Sequence, residues 1–220
     1  MPIGRQSLTD QIVGELRRRI VSGELPEATP LRQEKLAAEL GVSRVPLREA
    51  IRQLEAEGLV KSEVHKGTVV SSLSLAEIEE LFEIRLQLEP WLFGLAMPLM
   101  SESHFRAAED LIAEASATET VDSWGELNWR FHHALYEACE RRIALKVLKT
   151  VHDNANRYIN LQLAVAADVE NELLDHRQLV AFARLRDVNG GVGLLRDHIG
   201  RVAQNLTRSI GRERQVADVA

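Results

Sequence analysis

Three of the seven histidines in this chain stand where their imidazole rings can act together. His132, His176 and His198 each lie on or beside the apolar face of a separate predicted helix, drawn at 100° per residue. Burying three imidazoles without partners would cost on the order of several kcal/mol. A divalent cation such as Zn or Ni would satisfy all three, because imidazole is a common ligand for these ions. The alternative is a polar pocket in which the histidines bond directly to an anionic ligand. The histidines given no functional role are His65, His104 and His152.

A second set of residues suits nucleic-acid chemistry. Arg44, Arg48 and Arg52 follow one another at four-residue spacing and cover a stripe about 80° wide on one predicted helix, clear of its leucine and isoleucine face. The planar guanidinium makes two hydrogen bonds at once to guanine or to phosphate. The alternative is that these arginines are solvated surface charges paired with Glu49 or Glu55.

The arginine stripe needs a framework of short helices to present it. Apolar residues recur every four positions from Leu8 to Ile20, which predicts a first helix over about 7–22. A second helix is predicted over about 33–40, and Gly41 supplies the left-handed turn residue. Ser43 then caps a third helix, which carries the arginines, and its hydroxyl and the helix N-terminus can hold a phosphate.

A hairpin follows the third helix. Leu59–Ser62 and Thr68–Val70 are predicted strands around a turn that contains Lys66 and Gly67. Three helices and a hairpin make a winged helix-turn-helix, with Lys66 placed to enter the adjacent minor groove of DNA. The first domain is therefore predicted over residues 1–71.

The rest of the chain is predicted to be helical. A capping box at Ser74 and Glu77 opens this second domain, predicted over residues 74–212 after a short linker. The fold class is mainly α, with an N-terminal winged helix-turn-helix and a C-terminal antiparallel bundle of six or seven helices. Breaks are predicted near Pro90, Pro98–Ser101, Thr118–Ser123, Glu140–Arg142, Ala166–Asp168 and Val188–Gly193.

Composition and charge are consistent with a DNA-binding protein of the cytoplasm. Residues 1–70 carry 11 Lys and Arg against 10 Asp and Glu, so the whole-chain charge of -6 belongs to the C-terminal part. A run of about 18 apolar residues and the apolar core of a signal peptide are both absent, which predicts no membrane association. The single cysteine, Cys139, excludes an internal disulfide and suggests a packing role.

The first domain resembles the DNA-binding domain of the GntR family of bacterial repressors, over about residues 8–70. The resemblance implies a cytoplasmic homodimer that binds a palindromic double-stranded DNA operator and responds to a small metabolite. It also implies that Arg44 and Arg48 read bases and that Lys66 and Gly67 contact DNA through the wing. The matching positions are Leu31, Leu36–Ala37, Leu40–Arg44, Pro46–Ile51, Leu54 and Glu57–Val60.

The second domain resembles the FCD effector domain of the FadR-like subgroup of GntR regulators, over about residues 75–206. In many such domains an aspartate and three histidines bind a metal, which helps to hold a carboxylate effector. The three histidines fall on the family positions, but Asn128 replaces the aspartate, so we expect a weaker or more exchangeable metal site. The matching elements are Glu83-x-Arg85-x3-Glu89, Phe131–His132-x2-Leu135, His176–Arg177, Asp187 and Asp197–Ile199.

The predicted function is a dimeric transcriptional regulator, by family habit a repressor, that senses a small organic or sugar acid. Arg85 is predicted either to clamp the effector carboxylate or to form an i,i+4 ion pair with Glu89. A regulator for which the cation is itself the signal is the alternative. A metal-dependent hydrolase built on the three histidines is disfavoured, because no inward acidic residue is an obvious general base.

Overall fold

The N-terminal helices and hairpin form in the predicted order in a computed structural model, which describes residues 7–117, 124–166 and 169–217. The chain divides between Ser72 and Leu73 into two compact units. The first unit is built on an apolar core of its own, to which α1, α3 and the hairpin contribute. Its elements are α1 (Leu8–Val21), α2 (Gln33–Glu39), α3 (Arg44–Ala56), β1 (Val60–Glu63) and β2 (Gly67–Val70).

Local signals account for the ends of these helices. The Ser7 hydroxyl accepts a hydrogen bond from the Asp10 amide while the Asp10 carboxylate accepts one from the Ser7 amide, which completes the predicted capping box. Gly41 has a φ of 64°, the left-handed conformation that the tight turn between α2 and α3 requires. Ser43 occupies the N-cap position of α3, but its side chain makes no capping hydrogen bond, contrary to the prediction.

The hairpin is a two-stranded antiparallel sheet in which Val60 pairs with Val70 and Glu63 with Gly67. Its turn places two residues at positive φ, Gly67 at 74° and His65 at 67°. The sequence predicted this conformation for the glycine only.

The second unit consists, within the described residues, of six α-helices around a large apolar core. Helix α4 packs on α9 and α7, while α5 packs on α6 and α8. Cys139 is a free thiol in this core, consistent with packing. Residues 118–123 and 167–168, where two breaks were predicted, lie outside the described residues. The helices are α4 (Leu75–Ala96), α5 (Glu102–Ser116), α6 (Trp124–Tyr136), α7 (Arg142–Ala166), α8 (Val169–Leu185) and α9 (Val188–Ala217).

The predicted break at Pro90 is wrong, because α4 is one helix of 22 residues that contains this proline. Proline has no amide hydrogen, so the carbonyl of Leu86, four residues earlier, loses its helical donor. Nη1 of Arg196, on α9, donates to that carbonyl at 3.2 Å. The neighbouring helix therefore satisfies the group that Pro90 leaves without a partner.

The predicted break at Val188–Gly193 is displaced to the preceding residues. Arg186 adopts a φ of 57° and ends α8, and the Asp187 side chain accepts a hydrogen bond from the Gly190 amide at 3.0 Å to open α9. Gly190 permits close helix packing, because a Cβ there would lie 2.5 Å from the Phe182 ring. Two of the glycines that suggested a break, Gly190 and Gly191, are thus packing residues at the start of a helix.

None of the helices in the described ranges combines the length and the apolar character needed to cross a membrane.

Candidate functional site

The three histidines predicted as ligands converge inside the helical unit. His132 of α6, His176 of α8 and His198 of α9 are each no more than 1% exposed. Each offers a nitrogen, and the three nitrogens lie within 4.8 Å of one another. Their ring centroids are separated by 5.2 to 5.6 Å. Three imidazoles at these separations can share one cation.

The ring of His132 is oriented by a hydrogen-bonded chain. The Tyr136 hydroxyl donates to Oε2 of Glu89 at 2.7 Å. That hydroxyl therefore accepts from Nδ1 of His132, which lies 3.0 Å away. Nδ1 carries the proton, and Nε2 keeps its lone pair without a hydrogen-bond partner among the described residues. This is the tautomer that a metal ligand needs.

The ring of His198 has a carboxylate near each nitrogen. Nδ1 lies 3.0 Å from Oδ2 of Asp175, and Nε2 lies 3.4 Å from Oε2 of Glu172. Asp175 also accepts a hydrogen bond from Arg201. Burial would raise the pKa of the Asp175 carboxyl, but His198 and Arg201 outweigh it and lower that pKa.

His176 is held by aromatic rings. Its imidazole stacks on Phe131 with a centroid distance of 4.0 Å and lies parallel to Trp124 at 6.2 Å. Within the described ranges, its Nε2 has no hydrogen-bond partner. The stack fixes the plane of the ring and leaves this nitrogen available.

Asn128 lies one helical turn before His132 and is 7% exposed. Its Oδ1 is buried and accepts no hydrogen bond from the described part of the chain. Buried polar atoms are nearly always paired, so an unpaired amide oxygen one helical turn from His132 calls for an explanation. A cation fits this donor set of imidazole nitrogens and an amide oxygen.

Burial keeps two of the imidazoles neutral. Desolvation lowers the pKa of His132 well below 6.5, with His176 and His198 contributing and Glu89 opposing. Desolvation, and then His198, also lowers the pKa of His176 well below 6.5. Neutral rings at physiological pH have a lone pair to give to a metal.

Arg85 forms the ion pair that was one of its two predicted roles. Its Nε lies 2.6 Å from Oε1 of Glu89, and its guanidinium stands over the Phe82 ring at 5.1 Å. Both charged side chains are almost completely buried. Nη1 of Arg85 has no hydrogen-bond partner in the described chain. The effector clamp remains a proposal.

His152 extends the cluster and was missed by the sequence reasoning. It is completely buried on α7, with Nε2 3.4 Å from Oε1 of Glu89 and its ring 5.7 Å from that of His132. Its spacing from Leu148 and Ala155 places it on the apolar face of α7, which was the available signal.

Glu89 is the charged centre of this network. Burial alone would raise the pKa of its carboxyl, but Arg85 and then His152 and His132 lower it well below 4.5. The same burial, with Glu89 beside it, raises the pKa of the Tyr136 hydroxyl. Glu89 is therefore an anion and Tyr136 a neutral hydrogen-bond donor at physiological pH.

The arginines predicted to read DNA are exposed on α3. Nη2 of Arg44 lies 2.7 Å from Glu34, and Nη1 of Arg52 lies 3.0 Å from Glu49. Arg48 forms no ion pair within the described residues. Exposed pairs of this kind contribute little free energy, so phosphate can displace them.

The wing tip carries the other residues predicted to contact DNA. Nζ of Lys66 lies 3.0 Å from Glu63, which is also paired with Lys61. Lys66 and then Lys61 lower the pKa of the Glu63 carboxyl. Lys66, Gly67 and the Ser43 side chain are all exposed, so they are accessible to a nucleic acid.

Known protein families match the N-terminal and the C-terminal parts of the chain separately. Residues 80–201 match the model of the FCD domain, and residues 8–70 match that of bacterial regulatory proteins of the gntR family. The chain belongs to the GntR family. It is a transcriptional regulator with an N-terminal helix-turn-helix domain and a C-terminal FCD domain, of the FadR-like subgroup.

Relatives and solved structures carry similar names. A "Probable D-xylose utilization operon transcriptional repressor" of Paenarthrobacter nicotinovorans is 31% identical over 148 residues, 64% of each chain. The "Gluconate operon transcriptional repressor" of Bacillus subtilis is 26% identical over 80% of this chain and 75% of its own length. The structure of a GntR-family transcriptional regulator from Pseudomonas syringae is 30% identical and has a TM-score of 0.58, covering 95% of this chain and 88% of that one.

Proposed function

We propose that this GntR regulator is a metabolite-responsive repressor whose helical unit binds a small carboxylate through a divalent metal. The observation that carries the proposal is the convergence of His132, His176 and His198, two of which have a buried Nε2 without a hydrogen-bond partner among the described residues. These histidines, with Asn128, would hold the ion. When bound, a cation such as Zn or Ni supplies positive charge for an anionic ligand.

Hydroxylated acids are the effectors that two further buried groups of the helical unit suit best. Asn156 of α7 is buried and donates through Nδ2 to the Gly125 carbonyl of α6 at 3.0 Å. Its Oδ1 has no hydrogen-bond partner in the described residues, and the same is true of Nη1 of Arg85. An amide acceptor and a guanidinium donor match hydroxyl and carboxylate groups. Two relatives are named for the use of sugars or sugar acids, which supports a sugar acid.

DNA binding is assigned to α3 and the wing. Arg44, Arg48 and Arg52 would enter the major groove, while Lys66 and Gly67 would contact the backbone or the minor groove.

A homodimer would bind a palindromic operator, since a two-fold protein reads two half-sites. The effector must bind the DNA-competent and incompetent arrangements with different affinities. Sedimentation of the protein, free and with one operator duplex, tests the dimer.

Thermal unfolding against a panel of small carboxylates tests the effector proposal. Gluconate, xylonate, citrate and acetate are each added with zinc and, separately, with a chelator. An acid that binds the folded protein stabilises it by about 2.7 kcal/mol at 100 times its Kd. We expect a rise in midpoint that requires zinc.

Each other outcome has a distinct meaning. A rise that the chelator leaves unchanged would mean a metal-free pocket. A rise with zinc alone, and none with any acid, would favour a metal sensor. A His176→Ala variant should lose the response to the acid while keeping its DNA affinity, and loss of folding in that variant would mean that His176 is structural.

A further inference from the structure

Two helices contribute the same short pattern to the histidine cluster. On α6, Asn128 lies four residues before His132, and on α8, Glu172 lies four residues before His176. Residues four apart lie on one helical face, so each histidine has an oxygen-bearing side chain one turn away. Only Glu172 carries a charge.

We propose that Glu172 is the anionic ligand of the metal site, in place of the carboxylate that Asn128 lacks. This inference rests on the proposed metal site. Oε2 of Glu172 lies 3.4 Å from Nε2 of His198. Two ligands about 2.1 Å from one zinc ion, at a tetrahedral angle, are about 3.4 Å apart. This separation is compatible with two ligands of one ion, whereas the group of donor atoms that all lie within 4.8 Å of one another in the described residues consists of the three histidines.

The second carboxylate beside His198 has a different role. Asp175 faces Nδ1 and is also bonded to Arg201, on the other side of the ring from Glu172. A metal-binding imidazole ligates through one nitrogen and donates its other N–H to an orienting group. Asp175 fits the orienting position, which leaves Nε2 and the nearby Glu172 oxygen to face the ion.

Charge gives the second reason to assign a carboxylate here. An imidazole that binds a metal is neutral, and an amide oxygen such as that of Asn128 contributes no charge. With Glu172 as a ligand, a divalent ion keeps one net positive charge. That remaining charge matches a monocarboxylate effector, whereas a second anionic ligand would cancel it.

Exposure predicts how the site exchanges its ion. The side chain of Glu172 is 16% exposed, compared with 2% for that of His198. Glu172 thus stands at the rim of the cluster, where water reaches it. An ion held partly by a rim ligand is accessible to a chelator, so we expect zinc to exchange without unfolding.

The test is zinc affinity of the full-length protein, measured by competition with a chelating dye. Glu172→Gln should weaken zinc binding at least about tenfold. Glutamine keeps an oxygen that accepts a hydrogen bond, so this loss reports charge and ligation, not the orientation of His198. Glu170→Gln, an exposed position on the same helix, is the matched control and should bind zinc as the wild type does.

A reciprocal variant separates compensation from general electrostatics. Asn128→Asp should bind zinc more tightly than wild type. In the Asn128→Asp background, Glu172→Gln should weaken zinc binding by less than about threefold, because the new carboxylate supplies the charge. If the two effects simply multiply, Glu172 does not substitute for the missing aspartate.

Cobalt provides a readout that does not depend on affinity. The visible absorption of bound Co²⁺ reports the number and type of its ligands, so at saturating metal the Glu172→Gln spectrum should differ from that of wild type and Glu170→Gln. An unchanged spectrum together with unchanged zinc affinity would overturn the Glu172 assignment alone. Failure of the wild type to bind either metal would overturn the proposed metal site as well.

Discussion

At the scale of single residues, the protonation of the buried histidines follows from their partners. The Tyr136 hydroxyl is committed as a donor to Glu89, so it accepts from Nδ1 of His132 and leaves Nε2 with its lone pair. His176 has no such partner within the described chain and is kept neutral by burial between Phe131 and Trp124. Two different environments therefore produce the same neutral ring.

The buried histidines should make stability depend on pH in the metal-free protein. The pKa values of His132, His152 and His176 are lowered in the folded state, while the unfolded chain titrates near 6.5. Below that pH the unfolded state binds more protons, so the free energy of unfolding falls as pH falls. Between pH 6.5 and 5.5 we expect a loss of roughly 1 kcal/mol for each of His132 and His176, with His152 adding to the loss in the same direction.

The measurement is denaturant unfolding in chelator at several pH values. His176→Phe keeps an aromatic ring in the stack and removes one titrating group, so its stability should fall less steeply with acid than that of the wild type. Equal slopes for the two proteins would show that His176 is not held neutral by the fold.

Arg48 is the arginine of α3 for which we expect the largest effect on DNA binding. It is exposed and, within the described residues, has no ion pair to break. Arg48→Ala should weaken binding to an operator selected from random duplexes by about 1–3 kcal/mol, because a bidentate contact to a base is lost. Binding is measured by fluorescence anisotropy at fixed salt.

The matched control is Arg18→Ala, an exposed arginine of α1 that is paired with Glu15 and Glu24. Full-strength operator binding by Arg48→Ala, or an equal loss in both variants, would refute the assignment of α3 as the reading helix.

At the scale of elements, one tertiary hydrogen bond explains how α4 passes through a proline. Pro90 leaves the Leu86 carbonyl without its helical donor, and Arg196 of α9 supplies one. Helices α4 and α9 also pack along much of their length, so the proline is held in place by its neighbour. The position of α4 matters for the site because this helix carries Arg85 and Glu89.

We predict that Arg196 and Pro90 are energetically coupled. Arg196→Met keeps much of the side-chain packing and removes the donor, which should lower the free energy of unfolding by about 1 kcal/mol. In a Pro90→Ala background, the amide of residue 90 can donate to the Leu86 carbonyl. Arg196→Met should then lower the free energy of unfolding much less. The four proteins of this cycle are compared by denaturant unfolding. Additive effects would mean that Arg196 stabilises the protein in another way.

At the scale of the whole molecule, the histidines connect three separate helices of the helical unit. His132, His176 and His198 come from α6, α8 and α9, and the carboxylates that orient their rings come from α4 and α8. An ion bound by all three would link these helices in the folded state and not in the unfolded chain. Metal binding then adds its free energy to the stability of the helical unit.

We expect zinc to protect backbone amides from hydrogen exchange in α6, α8 and α9. The effect should be largest near the three histidines and should be absent from His132→Ala. Exchange is followed by mass spectrometry with zinc and with chelator. Protection that is spread evenly over the chain, or that persists in His132→Ala, would indicate zinc binding elsewhere.

The sequence by itself determined the class of protein and most of its local structure. Capping boxes, the left-handed Gly41 and four-residue apolar periods act over a few neighbouring residues, so the helices of the first unit and the inward faces of His132, His176 and His198 could be predicted. The tertiary structure decided what depends on neighbours distant in the chain. Pro90 lies inside a helix because Arg196 reaches Leu86, and Gly190 permits packing because Phe182 lies against it. The partners of the histidines, among them Glu89, His152 and Glu172, come together only when separate helices pack. Local sequence patterns do not predict such contacts between helices.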